Sequence, residues 1–268
     1  MATPAFALEG SGVQEEPPKR VVSLHLCADE WLLLLAAPGQ IAALTWLASD
    51  PGLTRLAARA TSFARHGGGA EAIVRLAPDL VLNVRGAAPQ TVALLRRFGV
   101  RVVEFDIPRR LADIDPTLRL LAAQLGRVDA GERLAEHLRQ QLAGEQPGPS
   151  RPRAAVYQAR GYNAGAEMLV HDILTAAGLE NIAAPDGAQA GTYLPLAALV
   201  MARPAVLVMG RAHPGRPSMA EDLFAHPLLE REIARRDIEV LPPQPWSCGT
   251  PMVGDAVVAL RAAAGSVR

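Results

Sequence analysis

The chain has 268 residues, half of them hydrophobic, and its 27 basic and 27 acidic side chains balance to a formal net charge of zero. This length allows one large or two medium-sized domains, and a chain without excess basic charge lacks the usual signature of a nucleic-acid-binding protein. The longest dense apolar stretch, residues 31–38, is too short to span a bilayer.

Residues 1–19 contain several glycines and prolines without hydrophobic periodicity, and they are predicted to be a disordered N-terminal segment. The run from Thr3 to Ala7 resembles the small-residue end of a secretory signal peptide, although a charged region and an apolar region do not precede it. Two interpretations remain open here, the tail of a removed signal and a plain disordered start. No lipid-anchor cysteine lies near this end.

Short β-branched runs alternate with helical patterns between residues 20 and 105, which is typical of a parallel sheet with helices on its faces. Asp50 is predicted to cap one of these helices, with Pro51 at its first position. The predicted strands are 20–24, 41–45, 80–83 and 100–105, and the other predicted helices are 29–37 and 89–98.

Strand signals disappear between residues 113 and 142, where leucines recur at helical spacing. We expect Gly126 to end one helix, and Asp129 with Glu132 to form a capping box for a second. A continuous helix of this length would extend about 45 Å, enough to connect two lobes. A proline-rich linker at 145–152 follows.

Strand and helix alternation then resumes, and one sequence pattern of the first half recurs. Residues 71–83 and 197–209 both read as a helical turn, a proline (Pro78 or Pro204) and a buried strand. Such a half-chain repeat predicts two similar α/β lobes with a cleft between them; the alternative is a junction common to many α/β proteins. The predicted strands are 154–158, 206–209 and 238–241, and the predicted helices are 168–177, 219–224 and 251–264.

The lobe, helix, lobe order and the repeat resemble the substrate-binding proteins of the ABC importers for vitamin B12 and iron siderophores. The segments that carry the resemblance are 20–24, 71–83, 98–103, 174–182 and 194–209. The resemblance implies an α/β fold class of two small three-layer lobes joined by a long helical connector, with the ligand cleft between the lobes. The implied boundaries are 20–109 for the N-terminal lobe, 110–145 for the connector and 146–268 for the C-terminal lobe.

The function implied by the resemblance is that of a non-catalytic, monomeric, periplasmic solute-binding protein. It would capture a metal chelate or corrinoid, such as a cobalamin, a siderophore or a haem-like ligand, and deliver it to an ABC permease in the inner membrane. The implied protein has no intrinsic cofactor and no metal site of its own, and any cobalt or iron would belong to the ligand.

In that family one surface glutamate of each lobe docks onto the permease. Glu71 stands at the matching position of the first lobe, seven residues before Pro78, but the second-lobe equivalent is Ala197. This departure leaves three alternatives: docking is asymmetric, it uses Glu221 or Asp222, or the permease differs.

The family binds its ligand at the C-terminal ends of strands, which matches the general rule for open α/β sheets. Three aromatic residues, two histidines and one arginine follow predicted strands or precede predicted helices there, with core packing or simple solvation as the alternative for each. Aromatic rings suit a large flat ligand, histidine suits an axial metal ligand or a hydrogen bond, and arginine suits an anionic chelate. The candidates are Trp46, Tyr162, Trp246, His25, His66 and Arg85, with Arg65 and Arg160 as further arginines.

The only cysteines, Cys27 and Cys248, precede predicted helices in opposite lobes. Three interpretations compete: a disulfide, which an oxidising periplasm favours, contact with the ligand or its metal, and two unrelated buried residues. We expect the two side chains to lie close together near the cleft. Because a disulfide across a ligand site is demanding, we favour free thiols that touch the ligand.

Two rival functions remain open at this point. The chief one is a two-lobe, metal-dependent enzyme or chelatase in which Cys27, Cys248 and His25 form the reactive set, and the other is a cell-surface or periplasmic metal sensor. No phosphate-binding loop, nucleophile elbow or zinc-protease motif occurs in the sequence. Turnover of a substrate would distinguish the enzyme from a binding protein.

Overall fold

The structure is a computed structural model that describes residues 16–144, 151–184, 191–209, 218–236, 238–241 and 245–267. The predictions for residues 1–15 and for most of the linker lie outside this part. The strands are β1 Val21–Ser23, β2 Ile41–Thr45, β3 Arg65–His66, β4 Leu80–Val84, β5 Val102–Phe105, β6 Arg153–Val156, β7 Tyr162–Asn163, β8 Glu180–Asn181, β9 Thr192–Tyr193, β10 Val206–Val208 and β11 Glu239–Leu241. The helices are α1 Leu26–Leu35, α2 Ala57–Ala60, α3 Ala70–Arg75, α4 Pro89–Arg97, α5 Ile114–Gln124, α6 Val128–Leu142, α7 Leu169–Ala176, α8 Leu196–Ala202, α9 Pro227–Arg236 and α10 Val253–Ser266.

The larger strands form two parallel sheets of related topology. The first has the order β3-β2-β1-β4-β5 and the second β11-β10-β6-β8. The order β5-β4-β1-β2 therefore corresponds to β11-β10-β6-β8. The repeated sequence pattern (residues 71–83 and 197–209) forms α3 and β4 in one lobe and α8 and β10 in the other. The predicted two-lobe α/β fold class is therefore confirmed. A short antiparallel ribbon pairs β7 with β9.

The strands alternate their side chains between two buried layers, as a two-residue period requires. In β1, Val21 points into a core shared by both lobes, while Val22 packs under α3 and α4. In β10, Val206 and Val208 enter the same shared core, while Leu207 packs under α8 and α9. The inner faces of both sheets thus contribute to one continuous core, which also includes α1, α5, α7 and α10.

The connector consists of two helices, α5 and α6, packed against each other, and the sequence predicted the break between them at Gly126. Gly126 ends α5 with a φ of 64°, and the N–H groups of Gly126 and Arg127 return to the carbonyls of Ala123 and Ala122 at 3.1 and 2.7 Å. This is the glycine-based helix end that the sequence predicted. The predicted capping box is wrong, because α6 begins after Arg127 and no side chain caps it.

Helix α10 joins the connector to the second lobe. Its Arg261 donates to the carbonyls of Gln141 and Leu142 at the end of α6 and of Ala176 at the end of α7, at 3.0, 3.3 and 3.2 Å. An arginine that satisfies the terminal carbonyls of two helices fixes their relative position. The lobes are therefore linked by packing between helices as well as by the covalent connection of the chain.

Several short elements differ from the sequence prediction. Residues 51–56 form turns, and the Asp50 carboxylate accepts a hydrogen bond of 2.9 Å from the Gly52 N–H instead of capping a helix. The two-residue strands β3, β7, β8 and β9 were not predicted, because a run that short carries no periodic signal. In the part of the chain that the structure describes, no helix has both the length and the apolarity to cross a membrane.

Candidate functional site

The carboxyl ends of the five parallel strands of the first sheet meet at one edge, where ligands of open α/β sheets bind. The residues at or just after these ends come from segments far apart in sequence but follow one another across the sheet. In the order β3, β2, β1, β4, β5 they are His66, Trp46, His25, Arg85 and Asp106.

Trp46 is the most exposed aromatic residue at this edge, with 60% of its surface accessible. It opens a 3-10 helix over residues 46–49 whose far end is anchored by Arg65, which donates to the Ser49 hydroxyl at 2.8 Å. The near end is anchored through the preceding residue, Thr45. An exposed indole held from both ends of its turn is well suited to contact a ligand.

A buried carboxylate that the sequence analysis missed supports this edge. Asp29, in the first turn of α1, accepts hydrogen bonds from the Ser23 hydroxyl, the Thr45 hydroxyl and, at 2.9 Å, the Thr45 N–H. Burial raises the pKa of Asp29 to about 6, although the hydrogen bonds from Ser23 and Thr45 oppose the shift. Two adjacent acidic residues, Asp29 and Glu30, within an otherwise apolar helix were the available sequence signal.

His25 caps the start of α1 and is half-buried. Its Nδ1 accepts a hydrogen bond of 3.1 Å from the Cys27 N–H, and burial lowers the pKa of the ring. A neutral ring that accepts at Nδ1 carries its proton on Nε2. A metal bound at Nε2 would leave the ring proton on Nδ1, which could then no longer accept from the Cys27 N–H and cap the helix. The geometry therefore favours a hydrogen bond from Nε2–H to a ligand over axial coordination of a metal.

His66 is buried, and both of its ring nitrogens are engaged within the lobe. Nε2 lies 2.7 Å from the Ser23 carbonyl, and Nδ1 accepts from the Gly68 N–H at 3.0 Å. Burial is the main cause that lowers the pKa of this ring. The structure therefore gives His66 the role of tying β3 to β1, and the expectation that it contacts a ligand finds no support.

Arg85 follows β4 and is exposed beside Asp106, with Nε 3.1 Å from the carboxylate. Both partners are largely solvated, so this pair adds little stability, and the guanidinium can exchange Asp106 for an anionic ligand. Within the described residues, no three His, Cys, Asp or Glu side chains group as metal ligands.

The corresponding edge of the second lobe carries a pair of tyrosines. Tyr162 in β7 and Tyr193 in β9 lie edge to face with ring centroids 5.6 Å apart, and 67% of the Tyr193 surface is accessible. The Tyr162 hydroxyl contacts the Met168 sulfur at 3.3 Å. Tyr193 was not predicted, because β9 is too short to be recognised. Arg160, in the left-handed conformation at a φ of 59°, is exposed beside this ribbon.

Trp246, a candidate ligand contact, is largely buried. Only 8% of its surface is accessible, and it belongs to the core shared by both lobes, together with Cys248. Core packing, which was the alternative for this residue, accounts for its position. Trp31 in α1 is also a core residue, fully buried against Phe105.

The cysteines lie together, as predicted, but the prediction of two free thiols is wrong. Cys27 and Cys248 form a disulfide with a Cα–Cα distance of 5.0 Å across 221 residues of sequence. The bridge lies in the shared core, where the two side chains are only 4% and 3% accessible. Gly249 turns the chain there with a φ of 58°, and a side chain on it would collide with Pro108.

The proposed docking residue lies on the outer surface. Glu71 is exposed in the first turn of α3, and Ala197 is exposed at the equivalent position of α8. A separate hollow of about 920 Å³ lies at the opposite edge of the first sheet, between Pro17, Arg101 and Arg133. Its described lining contains no aromatic ring, so it does not resemble the strand-end site.

Comparison with known proteins identifies the family. The family model described as periplasmic binding protein matches residues 21–236. The chain belongs to this family. No curated protein sequence matches it significantly.

Solved structures share the fold of this periplasmic binding protein over nearly its whole length. A periplasmic heme-binding protein from Roseiflexus has 23% sequence identity and a TM-score of 0.73, and the match covers 93% of this chain and 98% of that one. A heme-binding protein of Vibrio cholerae has 15% identity and a TM-score of 0.73, with 91% and 97% covered. A vitamin B12 binding protein of Vibrio cholerae has 18% identity and a TM-score of 0.64, with 94% and 98% covered. These identities show a common fold.

Proposed function

We propose that this protein is the periplasmic solute-binding component of an ABC importer and captures a flat metal chelate, haem-like or corrinoid, between its lobes. The observation that carries the proposal is Trp46, an indole exposed at the strand edge and held by its backbone rather than by burial. Solved structures of the same fold include proteins named for binding heme and vitamin B12.

The polar groups around Trp46 suit the rim of such a ligand. His25 has a proton on Nε2 to donate, and Arg85 offers a guanidinium to a carboxylate or another anionic group. The exposed ring of Tyr193 provides a second aromatic face in the other lobe. Iron or cobalt would arrive within the ligand, because the chelate already satisfies the metal.

The disulfide favours transport over the enzyme alternative. The proposed reactive set needed two thiols, and both are bonded to each other in the core. His25 is a neutral helix cap rather than an activated base. A buried disulfide also suits an oxidising compartment such as the periplasm. We further propose that the protein acts as a monomer without catalysis.

Delivery to the permease would begin at Glu71. Its exposed carboxylate on α3 is free to meet basic groups of a membrane partner, whereas Ala197 offers no charge at the equivalent place. We therefore propose asymmetric docking, in which the first lobe makes the stronger electrostatic contact.

The binding proposal is tested by titrating the purified protein with haemin, cyanocobalamin and a ferric siderophore, followed by visible absorbance and tryptophan fluorescence. We expect reversible binding of one of these probes without product formation. Trp46→Ala should weaken that binding by about 2 kcal/mol, roughly thirtyfold. Phe98→Ala is a matched control, because Phe98 is as exposed as Trp46, at 61%, but ends α4 away from the strand edge.

If Trp46→Ala leaves the affinity of the bound probe unchanged, the ligand does not lie on this edge. Product formation during the titration would instead favour the enzyme.

A further inference from the structure

One buried carboxylate joins four elements at the strand edge of the first lobe. Asp29 in α1 accepts from Ser23, the last residue of β1, and from both the N–H and the hydroxyl of Thr45, the last residue of β2. The Ser23 carbonyl in turn bonds the ring of His66, the last residue of β3, at 2.7 Å. Asp29 has no accessible surface, so it cannot itself touch a ligand.

We propose that Asp29 is a positioning residue for ligand capture, which fixes the ends of β1 and β2 so that His25 and Trp46 face the cleft. Trp46 follows Thr45 directly, and His25 lies two residues after Ser23. The inference rests on the proposed function, because it concerns the same strand-end site. It adds a residue whose effect on binding is transmitted through the backbone.

Asp29 would affect Trp46 through the backbone, because packing does little to fix the exposed indole. With most of its surface in solvent, the direction of the indole depends on where its 3-10 turn begins. That start is set by Thr45, whose N–H and hydroxyl both donate to the Asp29 carboxylate, the N–H at 2.9 Å. Removing this acceptor leaves a buried donor unpaired, and the chain at Thr45 must shift to satisfy it.

The neighbouring residue provides an internal comparison. Glu30 is also buried, and its carboxyl bonds Thr54, which lies in the turns before α2 and not at a strand end. Thr45 and Thr54 are equally buried, each with 6% of its surface accessible. The helix therefore carries two adjacent threonine–carboxyl pairs, of which only one leads to the candidate site.

The test uses 5-fluorotryptophan labelling and ¹⁹F NMR of the ligand-free protein, with the Trp46 resonance assigned from Trp46→Phe, together with haemin affinity. Asp29→Ala removes the acceptor of both Thr45 bonds and is expected to shift the Trp46 resonance and to weaken haemin binding about tenfold, and Thr45→Val, which loses only the hydroxyl bond, should do both to a smaller extent. Thr54→Val is expected to lower Tm while leaving both unchanged. Asp29→Asn, which keeps an acceptor for the Thr45 N–H, should leave both readouts as in the wild type.

An Asp29→Ala protein that folds but keeps the wild-type Trp46 resonance and haemin affinity would overturn the positioning role. If Asp29→Ala fails to fold, equal behaviour of Thr45→Val and Thr54→Val, which each lose only one hydroxyl, with lower Tm but an unmoved Trp46 resonance and haemin affinity, would overturn it as well. If the wild-type protein binds neither haemin nor cyanocobalamin, the proposed function fails, whereas the ligand-free resonance still reports whether Asp29 positions Trp46.

Discussion

The residues that follow strands divide into two groups. Trp46, His25 and Arg85 lie at the strand edge of the first lobe, whereas His66 and Trp246 are buried. The rule that polar and aromatic residues after parallel strands form a site placed Trp46, His25 and Arg85 at one edge. The same rule did not separate these from His66 and Trp246, because position after a strand does not reveal which way a side chain points. Hydrogen bonds fix His66, and packing in the shared core fixes Trp246.

Asp29 should make stability depend on pH. Its pKa is raised from 3.8 to about 6, so the folded state holds the proton more tightly than the unfolded state does. Protonation of Asp29 therefore stabilises the folded state by about 3 kcal/mol below pH 4, and this stabilisation is lost as the pH rises through 6.

Denaturant unfolding of the wild type and of Asp29→Asn at several pH values isolates this effect. Between pH 4 and 7, the unfolding free energy of the wild type should fall relative to that of Asp29→Asn. Contributions from His25, His66 and Glu30 are present in both proteins and largely cancel. A difference that stays constant over this range would show that Asp29 is ionised normally.

Among the elements, long helices and strands buried on both faces were predictable, and their ends were less so. Helices α1, α4, α5 and α10 were expected near their observed ranges, because apolar spacing persists over several turns. Helix α2 and the two-residue strands are set by tertiary contacts instead. The Asp50-Pro51 pair illustrates this: its capping chemistry is real, but it closes a turn.

Gly126 offers a test at the scale of the connector. Replacing this glycine is disfavoured twice, because its φ of 64° is left-handed and because a side chain here would collide with Pro17. Gly126→Ala should lower the unfolding free energy by about 1 kcal/mol or more. The control is Gly39→Ala, where φ is not left-handed and nothing lies within 4 Å of an added side chain, so stability should hold or rise. Similar Tm values for the two variants would contradict the assigned helix end.

At the scale of the whole molecule, the two-lobe order was evident from the repeat and the helical middle segment, whereas the way the lobes connect was not. The single core that includes both inner sheet faces depends on contacts between residues more than a hundred positions apart, which sequence spacing does not encode. The disulfide is the clearest case, because its two cysteines precede different helices and only the folded chain brings them together.

The disulfide should contribute strongly to stability. Cross-linking residues 221 positions apart restricts the unfolded chain, and loss of a native disulfide costs about 2–5 kcal/mol. Cys27→Ser, Cys248→Ser and the double variant should all lower the unfolding free energy by a similar amount. Thiol titration of the unreduced, denatured wild type should find no free thiol, and two free thiols would contradict the bridge.

Transport requires docking as well as capture. Glu71→Arg should impair uptake in vesicles reconstituted with the cognate permease, while ligand affinity in solution is retained. Glu136→Arg on α6 is a suitable control, because that carboxylate is also exposed but lies on the connector. Equal loss of uptake and of soluble affinity in Glu71→Arg would place Glu71 in the ligand site or make it structural.

Native mass spectrometry and visible spectroscopy of protein purified from its own host would show whether the protein carries a metal chelate. We expect one non-covalent ligand per chain, with iron or cobalt and a visible absorption band, released on denaturation, and depleted when Trp46→Ala protein is purified in the same way. Protein that emerges with a ligand lacking any metal, and that does not bind haemin, cyanocobalamin or a ferric siderophore when these are added, would contradict this expectation.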